Sequence, residues 1–284
     1  MKTDDFQSDA LVILGHGTEL NEDSARPVRQ HAGELRRRNL FAEVREAYWK
    51  QSPQIKSVLA ELTVTRVFVL PLFISEGYFT EEVIPRALGF CEIGEPGCAR
   101  VQQHGGRTLY YCGPVGTHDS MTEVLLARAR DVVANFSHGC AAPCRETTLF
   151  IAGHGTRNNE HSRMALERQV ERIRSRQVYA EVHAAFIEEE PRVSECYTLA
   201  HTSNIVMVPF FISDGLHASE DIPVMLGESE RVVQERLGRG EPTWRNPTEK
   251  YGKRVWYASS IGSEPLLAEV ILERVRDAAQ GTMR

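Results

Sequence analysis

Short apolar runs alternate with amphipathic stretches along the first half of the chain. The runs that predict strands are Leu11–Leu14, Glu43–Trp49, Arg66–Ile74 and Leu109–Cys112. The stretches that predict helices, by apolar spacing or by a proline in the first turn, are Asn21–Arg38, Pro53–Leu62, Glu81–Leu88 and Thr122–Val133. Four strand–helix units in succession predict a parallel sheet with helices on both faces and right-handed crossovers.

The same pattern returns in the second half at a constant distance along the chain. The string LVILGHGT at Leu11–Thr18 recurs as LFIAGHGT at Leu149–Thr156, an offset of 138 residues. Aligning residues 11–89 with 149–227 without a gap gives 26 identities in 79 positions. Chance would give roughly 6% identity at average composition, so the chain contains an internal duplication. Further on the offset is 146 residues, which indicates eight extra residues between Gly227 and Tyr251.

This duplication divides the 284 residues into two homologous halves. We expect an N-terminal lobe over residues 1–144 and a C-terminal lobe over residues 145–284. Each lobe is predicted to be an α/β domain with a four-stranded parallel sheet flanked by helices, with a cleft between the lobes. Ligands of such sheets bind at the carboxyl ends of the strands, so residues directly after strands are the first candidates for chemistry.

Composition narrows the class of protein. The chain is 42% hydrophobic and 25% charged, which is typical of a globular protein. Its 33 lysines and arginines against 39 acidic residues leave a net charge of −6, which gives no basic field for nucleic acid. The chain shows neither a membrane-spanning run nor a secretory signal, and its six cysteines are too few for a disulfide scaffold. We expect a cytoplasmic protein with no nucleic-acid or membrane partner; its oligomeric state is not predicted.

Three polar side chains follow three successive strands of the second half. His154 lies just past the first strand, Glu188 closes the second, and His217 follows the third. Imidazole and carboxylate together suit a divalent ion such as Co²⁺, Ni²⁺, Fe²⁺ or Zn²⁺, and the same groups can accept protons. Each residue alone also has an ordinary interpretation: a histidine in a loop, or a glutamate in a solvated helix entry. Their joint placement favours a catalytic and metal-binding site.

The first half retains His16 but differs at the other two positions. Lys50 stands where the second half has Glu188, and Phe79 stands where it has His217. The difference predicts one active centre, on the C-terminal lobe, with His16 as a secondary or relic residue. Tyr78 and Phe79 are candidates for an apolar wall against a flat ligand, or for core between the lobes, and Lys50 for contact with an anionic group.

These motifs resemble the sirohydrochlorin chelatases of the CbiX type, class II chelatases that insert a metal into a tetrapyrrole. The resemblance rests on Gly153–Thr156 (GHGT), Phe186–Glu188 with Pro191, and above all Val208–His217 (VPFFISDGLH) running into Asp221–Pro223 (DIP). The first half repeats Leu70–Gly77 (LPLFISEG) and Ile84-Pro85, so the resemblance covers nearly the whole chain. It implies two chelatase-fold lobes.

The resemblance also implies a reaction and a site. A divalent metal, cobalt first and iron or nickel after it, enters sirohydrochlorin or a related tetrapyrrole, as in cobalamin or sirohaem biosynthesis, and no organic cofactor is needed. His154 and His217 are implied to handle the metal and the protons, with Glu188 neutralising charge. Arg157, Arg163 and Lys50 are candidates for binding the substrate's carboxylates, although Arg163 is equally suited to an exposed helix surface.

Two other functions fit parts of the pattern. A histidine phosphatase also has a histidine after its first strand, but there an arginine precedes it, and here Gly15 and Gly153 do. A non-catalytic metal or tetrapyrrole carrier on the same scaffold is the alternative from another class.

The cysteines give only a weak signal for a second metal or cluster. Cys91, Cys98, Cys112, Cys140 and Cys144 match neither paired zinc motifs nor iron–sulfur spacing.

Overall fold

The computed structural model describes residues 5–18, 24–91, 97–136, 143–155 and 160–282. The chain forms two compact units, each with its own five-stranded sheet. The first unit comprises Met1–His118 and Pro265–Arg284, and the second comprises Asp119–Glu264.

The sheet of the first unit is parallel except at one edge. Its strands are β1 (Ala10–Gly15), β2 (Glu43–Tyr48), β3 (Arg66–Pro71), β4 (Val101–His104) and β5 (Arg107–Tyr111). They lie in the order β2-β1-β3-β5-β4, and β4 pairs antiparallel with β5. The helices are α1 (Arg26–Arg38), α2 (Ile55–Glu61), α3 (Ile84–Ala87) and, from the end of the chain, α9 (Leu267–Gln280). A π-helical turn, Phe79–Val83, leads directly into α3.

The second unit repeats this arrangement. Its strands are β6 (Thr147–Gly153), β7 (Glu181–Phe186), β8 (Asn204–Pro209), β9 (Thr248–Lys250) and β10 (Lys253–Tyr257), in the order β7-β6-β8-β10-β9. Its helices are α4 (Met121–Phe136), α5 (Glu160–Ser175), α6 (Cys196–Leu199), α7 (Ile222–Met225) and α8 (Glu230–Gly238). A π-helical turn, His217–Asp221, precedes α7 in the same way.

Each unit is closed by a helix from the other half of the chain. Helix α4 packs on α5, β8 and β10 of the second unit, whereas α9 packs on α1, β3 and β5 of the first. A buried arginine anchors α9, because Arg274 Nε donates to the carbonyl of Pro114 at 2.8 Å. At the equivalent position of α4, Arg128 donates to Ser263 Oγ at 3.0 Å. The compact units therefore differ from the predicted lobes, 1–144 and 145–284, in the helix that completes each.

The four parallel strands predicted for each lobe are present, and a fifth strand is added at one edge. Strands β4 and β9 went unpredicted because they are short and mostly polar, so they show no apolar run. Central strands such as β1 and β6 are fully buried along their length, as expected of a parallel sheet covered on both faces.

Several predicted boundaries shift. The third strand ends at Pro71 rather than at Ile74. The predicted helix at 81–88 is a π-helical turn followed by the short α3. Helix α1 begins at Arg26, and residues 21–23 lie outside the described residues. Helix α8 occupies the segment predicted to hold the eight extra residues. In the described parts of the chain, no helix is long and apolar enough to span a membrane.

Candidate functional site

The topology of the second sheet brings the three predicted polar side chains to one edge. Strand β6 lies between β7 and β8, and all three run parallel. His154 directly follows β6, Glu188 follows β7 by two residues, and His217 begins the π-helical turn after β8. Because the carboxyl ends of parallel neighbours lie together, His154 sits between the other two residues.

The distances confirm that these side chains are neighbours. The imidazole rings of His154 and His217 lie edge to face, with their centroids 4.6 Å apart. His154 Nε2 is 3.8 Å from Glu188 Oε1. All three side chains are partly open to solvent, with exposed fractions of 32%, 55% and 46% for His154, Glu188 and His217. They therefore form an accessible group of two imidazoles and a carboxylate.

Backbone hydrogen bonds hold Glu188 beside His154. The amides of Ile187 and Glu188 both donate to the carbonyl of His154 at 3.1 Å, which extends the β6–β7 ladder past the strand ends. Gly155 has a φ of +64°, and a Cβ added there would lie 2.7 Å from the Cβ of Phe186. A glycine is thus required after His154 because the loop turns in the left-handed region directly against β7.

The turn that carries His217 is anchored on both sides. The backbone amide of Ser260 donates to Asp214 Oδ1 at 2.6 Å, which fixes the loop before the turn. The hydroxyl of Tyr257 donates to the carbonyl of Ala218 at 2.5 Å, inside the turn. Burial raises the pKa of Tyr257 well above its ordinary value, so the phenol stays protonated and able to donate. His217 is consequently presented on a fixed segment.

Two residues of this region were not predicted to take part in the site, although Asp221 belongs to the DIP motif. Asp221 Oδ2 lies 2.6 Å from His217 Nδ1 and is a direct hydrogen-bond partner of that ring. Their spacing of four residues is the signal for this contact, but the predicted helix started after His217 and so did not include it. Arg192 is the second, and it lines a depression beside Glu188.

This depression has a volume of about 690 Å³ and is lined by charged residues of both signs. Arg163 lies in it, but its guanidinium is occupied: it contacts Glu167 and Glu189 at 2.8 Å each and lies over the ring of Phe186. Arg192 is exposed and has no ion pair within the described residues. Arg157, predicted to bind substrate, lies outside the described residues.

In the first lobe, an aromatic side chain, that of Phe79, occupies the position equivalent to His217. Phe79 packs with its ring centroid 5.4 Å from that of Trp49, 5.6 Å from that of Phe73 and 5.7 Å from that of His16. His16 Nδ1 lies 3.0 Å from the carbonyl of Gly17. Phe79 therefore belongs to a cluster within its own lobe.

The other first-lobe candidates are exposed. Tyr78 is 74% exposed, and Lys50 also lies at the surface. The predicted roles of Lys50, Tyr78 and Phe79 in substrate binding stay predictions.

The site is not a closed metal cage. Within the described ranges, no three histidine, cysteine, aspartate or glutamate side chains are already arranged as a metal-ion site. His154 Nδ1 is buried and has no hydrogen-bond partner among the described residues. The donors of His154, Glu188 and His217 are nevertheless those that first-row divalent metals accept.

The cysteines are placed unfavourably for a second metal centre. Cys91 and Cys98 form a disulfide. Cys112 is buried, and burial raises the pKa of its thiol to about 12, which keeps it protonated and unsuited to metal binding. Cys144 is a partly buried free thiol, and Cys140 lies outside the described residues.

Comparison with known proteins gives matches over most of both repeats. The CbiX family model matches the chain twice, over residues 10–132 and 148–278. A probable sirohydrochlorin cobaltochelatase from Halobacterium salinarum is 41% identical over 279 residues, which covers 95% of this chain and 91% of that protein. The sirohydrochlorin cobaltochelatase of Methanopyrus kandleri is 28% identical over 137 residues, covering 46% of this chain and 95% of that protein.

Solved structures share the fold. DR2241 from Deinococcus radiodurans, described as a multi-domain protein with structural similarity to chelatases, matches with a TM-score of 0.74 and 32% identity. The match covers 95% of this chain and 54% of that one, so this chain spans about half of that protein. SirB from Bacillus subtilis with Fe³⁺ matches with a TM-score of 0.66 and 15% identity, over 97% and 98% of the two chains.

Proposed function

Because the chain belongs to the CbiX family of sirohydrochlorin chelatases, we propose that it is an enzyme that inserts a divalent metal ion into sirohydrochlorin or a closely related tetrapyrrole. The observation that carries this proposal is the convergence of His154, Glu188 and His217 at the carboxyl edge of the second sheet. The metal is a substrate in this reaction, and no organic cofactor takes part.

The reaction requires metal donors and proton acceptors in the same place. When a divalent ion enters the ring, bonds to the pyrrole nitrogens form and two N–H protons leave. His217 is the residue that receives the ion, while His154 and Glu188, 3.8 Å apart, accept and pass on the displaced protons. Glu188 is the most exposed of the three, which gives the protons a path to water.

The open arrangement of donors suits a metal that has to leave again. A complete set of protein ligands would hold the ion and oppose its transfer to the tetrapyrrole. Two imidazoles and one carboxylate leave coordination positions for the substrate's nitrogens. His154 Nδ1 is buried and has no hydrogen-bond partner in the described part of the chain, so it is a further atom to which a ligand or water can supply a hydrogen bond.

The substrate carries many carboxylates, and arginine is the side chain best suited to bind them. Arg192 is the candidate in the depression beside Glu188, because its guanidinium forms no ion pair with a carboxylate of the described residues. Arg163 is held by Glu167 and Glu189, so its first role is to fix Glu189 next to Glu188. Arg157 remains a candidate from the sequence alone.

Cobalt is the first metal in this proposal, because the 41% identical relative is named a probable cobaltochelatase. Iron is second and nickel third. Affinity for such nitrogen and oxygen donors rises along the first-row series without regard to function, so metal choice has to be measured.

The phosphatase alternative requires an arginine directly before the histidine, and Gly153 stands at that position. A Cβ at Gly153 would lie 2.5 Å from Leu166 Cδ1, so a larger residue there would displace the Leu166 side chain. A phosphomonoester assay with no activity above the background rate is the expected result.

An absorbance assay of purified protein with sirohydrochlorin and excess Co²⁺, Fe²⁺ or Ni²⁺ tests the proposal. We expect many metallated products per chain, fastest with Co²⁺. The matched control is the double variant His154→Ala/His217→Ala, which should lose about 10²–10⁴-fold or more in rate and keep its circular dichroism spectrum. Product that stops at one equivalent per chain would favour a carrier, and undiminished insertion by the double variant would exclude the assigned site.

A further inference from the structure

The hydrogen bond between His217 and Asp221 determines which ring nitrogen of a neutral His217 carries the proton. The distance of 2.6 Å joins Nδ1 to a carboxylate oxygen, which can only accept. Nδ1 is therefore the donor, and the lone pair of a neutral ring lies on Nε2. No protein group among the described residues forms a hydrogen bond with Nε2, which leaves that atom available.

Among the described residues, the Asp221 side chain makes no hydrogen bond or ion pair other than the one with His217. Asp221 is the residue before α7, yet its side chain makes no capping hydrogen bond to that helix. Its neighbours on the turn are engaged elsewhere: Ser219 Oγ donates to the carbonyl of Gly215, and Glu220 accepts from Gln234 of α8. Asp221 is 44% exposed, so its carboxylate is not needed to neutralise a buried charge.

The geometry of the turn makes this contact possible. His217–Asp221 is a π-helical turn, and it places these two residues on one side of the helix axis. The equivalent turn in the first lobe, Phe79–Val83, has the same π-helical backbone. There, phenylalanine and valine replace histidine and aspartate, so both members of the pair are absent together.

We infer that Asp221 is a positioning residue that holds His217 in the tautomer with a proton on Nδ1 and so directs Nε2 to the incoming metal. This inference rests on the proposed function. A carboxylate behind a metal-binding imidazole fixes its ring orientation and its tautomer, and loss of such a partner commonly costs 10–100-fold in metal affinity. Asp221 itself contacts neither metal nor substrate.

The experiment uses the full chain and Co²⁺ alone as the probe. Visible absorbance titration of Asp221→Ala should show a Co²⁺ affinity about 10–100-fold weaker than that of the wild type. Asp221→Glu restores a carboxylate one methylene longer and should recover most of the loss. Glu220→Gln removes a charge from the same turn without touching His217 and is the matched control, with unchanged affinity.

The ¹⁵N resonances of the His217 ring in the wild-type protein test the tautomer without any variant. A neutral ring protonated on Nδ1 is expected, and a ring protonated on Nε2 would overturn the inference. Unchanged Co²⁺ affinity in folded Asp221→Ala would also overturn it. If the wild type inserts no metal while Asp221→Ala still weakens Co²⁺ binding, the proposed function fails and the positioning role stands.

Discussion

The two lobes contain equivalent π-helical turns on the same fold, but the first residue of the turn is apolar in one lobe and polar in the other. In the second lobe the buried Tyr257 donates to the carbonyl of Ala218, and in the first lobe Tyr111 donates to that of Thr80 at 2.8 Å. The turn that is fixed in this way carries His217 in the second lobe and Phe79 in the first. The backbone conformation of the turn is therefore the same in both lobes, and the lobes differ in the side chains that the turn carries.

Where the first lobe lacks the polar group, packing takes its place. Trp49, Phe73 and Phe79 form an aromatic cluster, whereas the matching residues of the second lobe are Ile187, Phe211 and His217. Phenylalanine is present at the equivalent position of both lobes, and in the second lobe the ring centroid of Phe211 lies 6.1 Å from that of His217. One lobe therefore packs aromatic rings against its turn, whereas the other leaves His217 partly exposed on the same turn.

The largest expected effect is the difference in stability between a fragment cut at the boundaries of the compact unit and a fragment cut at the boundaries of the repeat. A fragment of residues 119–264 contains the whole second unit, including α4, and should unfold cooperatively in a circular dichroism melt. The fragment 145–284 lacks α4 and with it large buried side chains, including Met121, Leu125 and Val132. At roughly 1.5–3 kcal/mol for each such side chain, the loss is comparable with the whole stability of a domain.

We therefore expect fragment 145–284 to show no cooperative transition. A stable 145–284 together with an unfolded 119–264 would mean that the repeats, rather than the compact units, are the folding units.

The next largest effect is expected when the polar side chains of the second-lobe site are introduced into the first lobe. The triple variant Lys50→Glu, Phe79→His and Val83→Asp gives the first lobe the side chains of the second, beside its own His16. We expect the number of bound Co²⁺ ions per chain to rise from one to two, as measured by equilibrium dialysis. Loss of aromatic packing around Phe79 should lower the free energy of unfolding by about 1–3 kcal/mol.

The single variant Lys50→Glu is the control for the transplant, because it adds a carboxylate without the histidine and should bind no second ion. If the triple variant folds and still binds one Co²⁺, features other than these side chains distinguish the lobes.

The smallest effect is expected at Arg192. Arg192→Ala should raise KM for sirohydrochlorin several-fold and leave kcat nearly unchanged, because the side chain is assigned to substrate carboxylates and not to the metal. Arg231→Ala, which removes an exposed arginine of α8 that pairs with Glu235, is the control. A fall in kcat with constant KM would place Arg192 in the chemical step instead.

The duplication, the parallel strands and the three polar residues at the sheet edge could be predicted because each depends on residues that are close together in the sequence. A buried strand shows as an apolar run, and a residue after it lies at the sheet edge, so His154, Glu188 and His217 were predicted to meet. The contact between Asp221 and His217 was not predicted, because it depends on a π-helical turn that starts at His217, and the spacing of apolar residues does not indicate such a turn.

The sequence also did not predict that α4 packs in the second unit and α9 in the first. The apolar face of α4 shows that this helix is buried, but not which sheet it covers. Two homologous lobes offer similar surfaces, so the choice depends on long-range packing such as the contact of Arg128 with Ser263.

The central claim is that the second lobe alone holds the chemistry, and the paired histidines test it most directly. His154→Ala and His16→Ala remove equivalent side chains from the two lobes, and the measurement is the initial rate of cobalt insertion into sirohydrochlorin. We expect His154→Ala to lose at least about 10²-fold and His16→Ala to stay near the wild-type rate. Equal losses in both variants, or a larger loss in His16→Ala, would contradict the account.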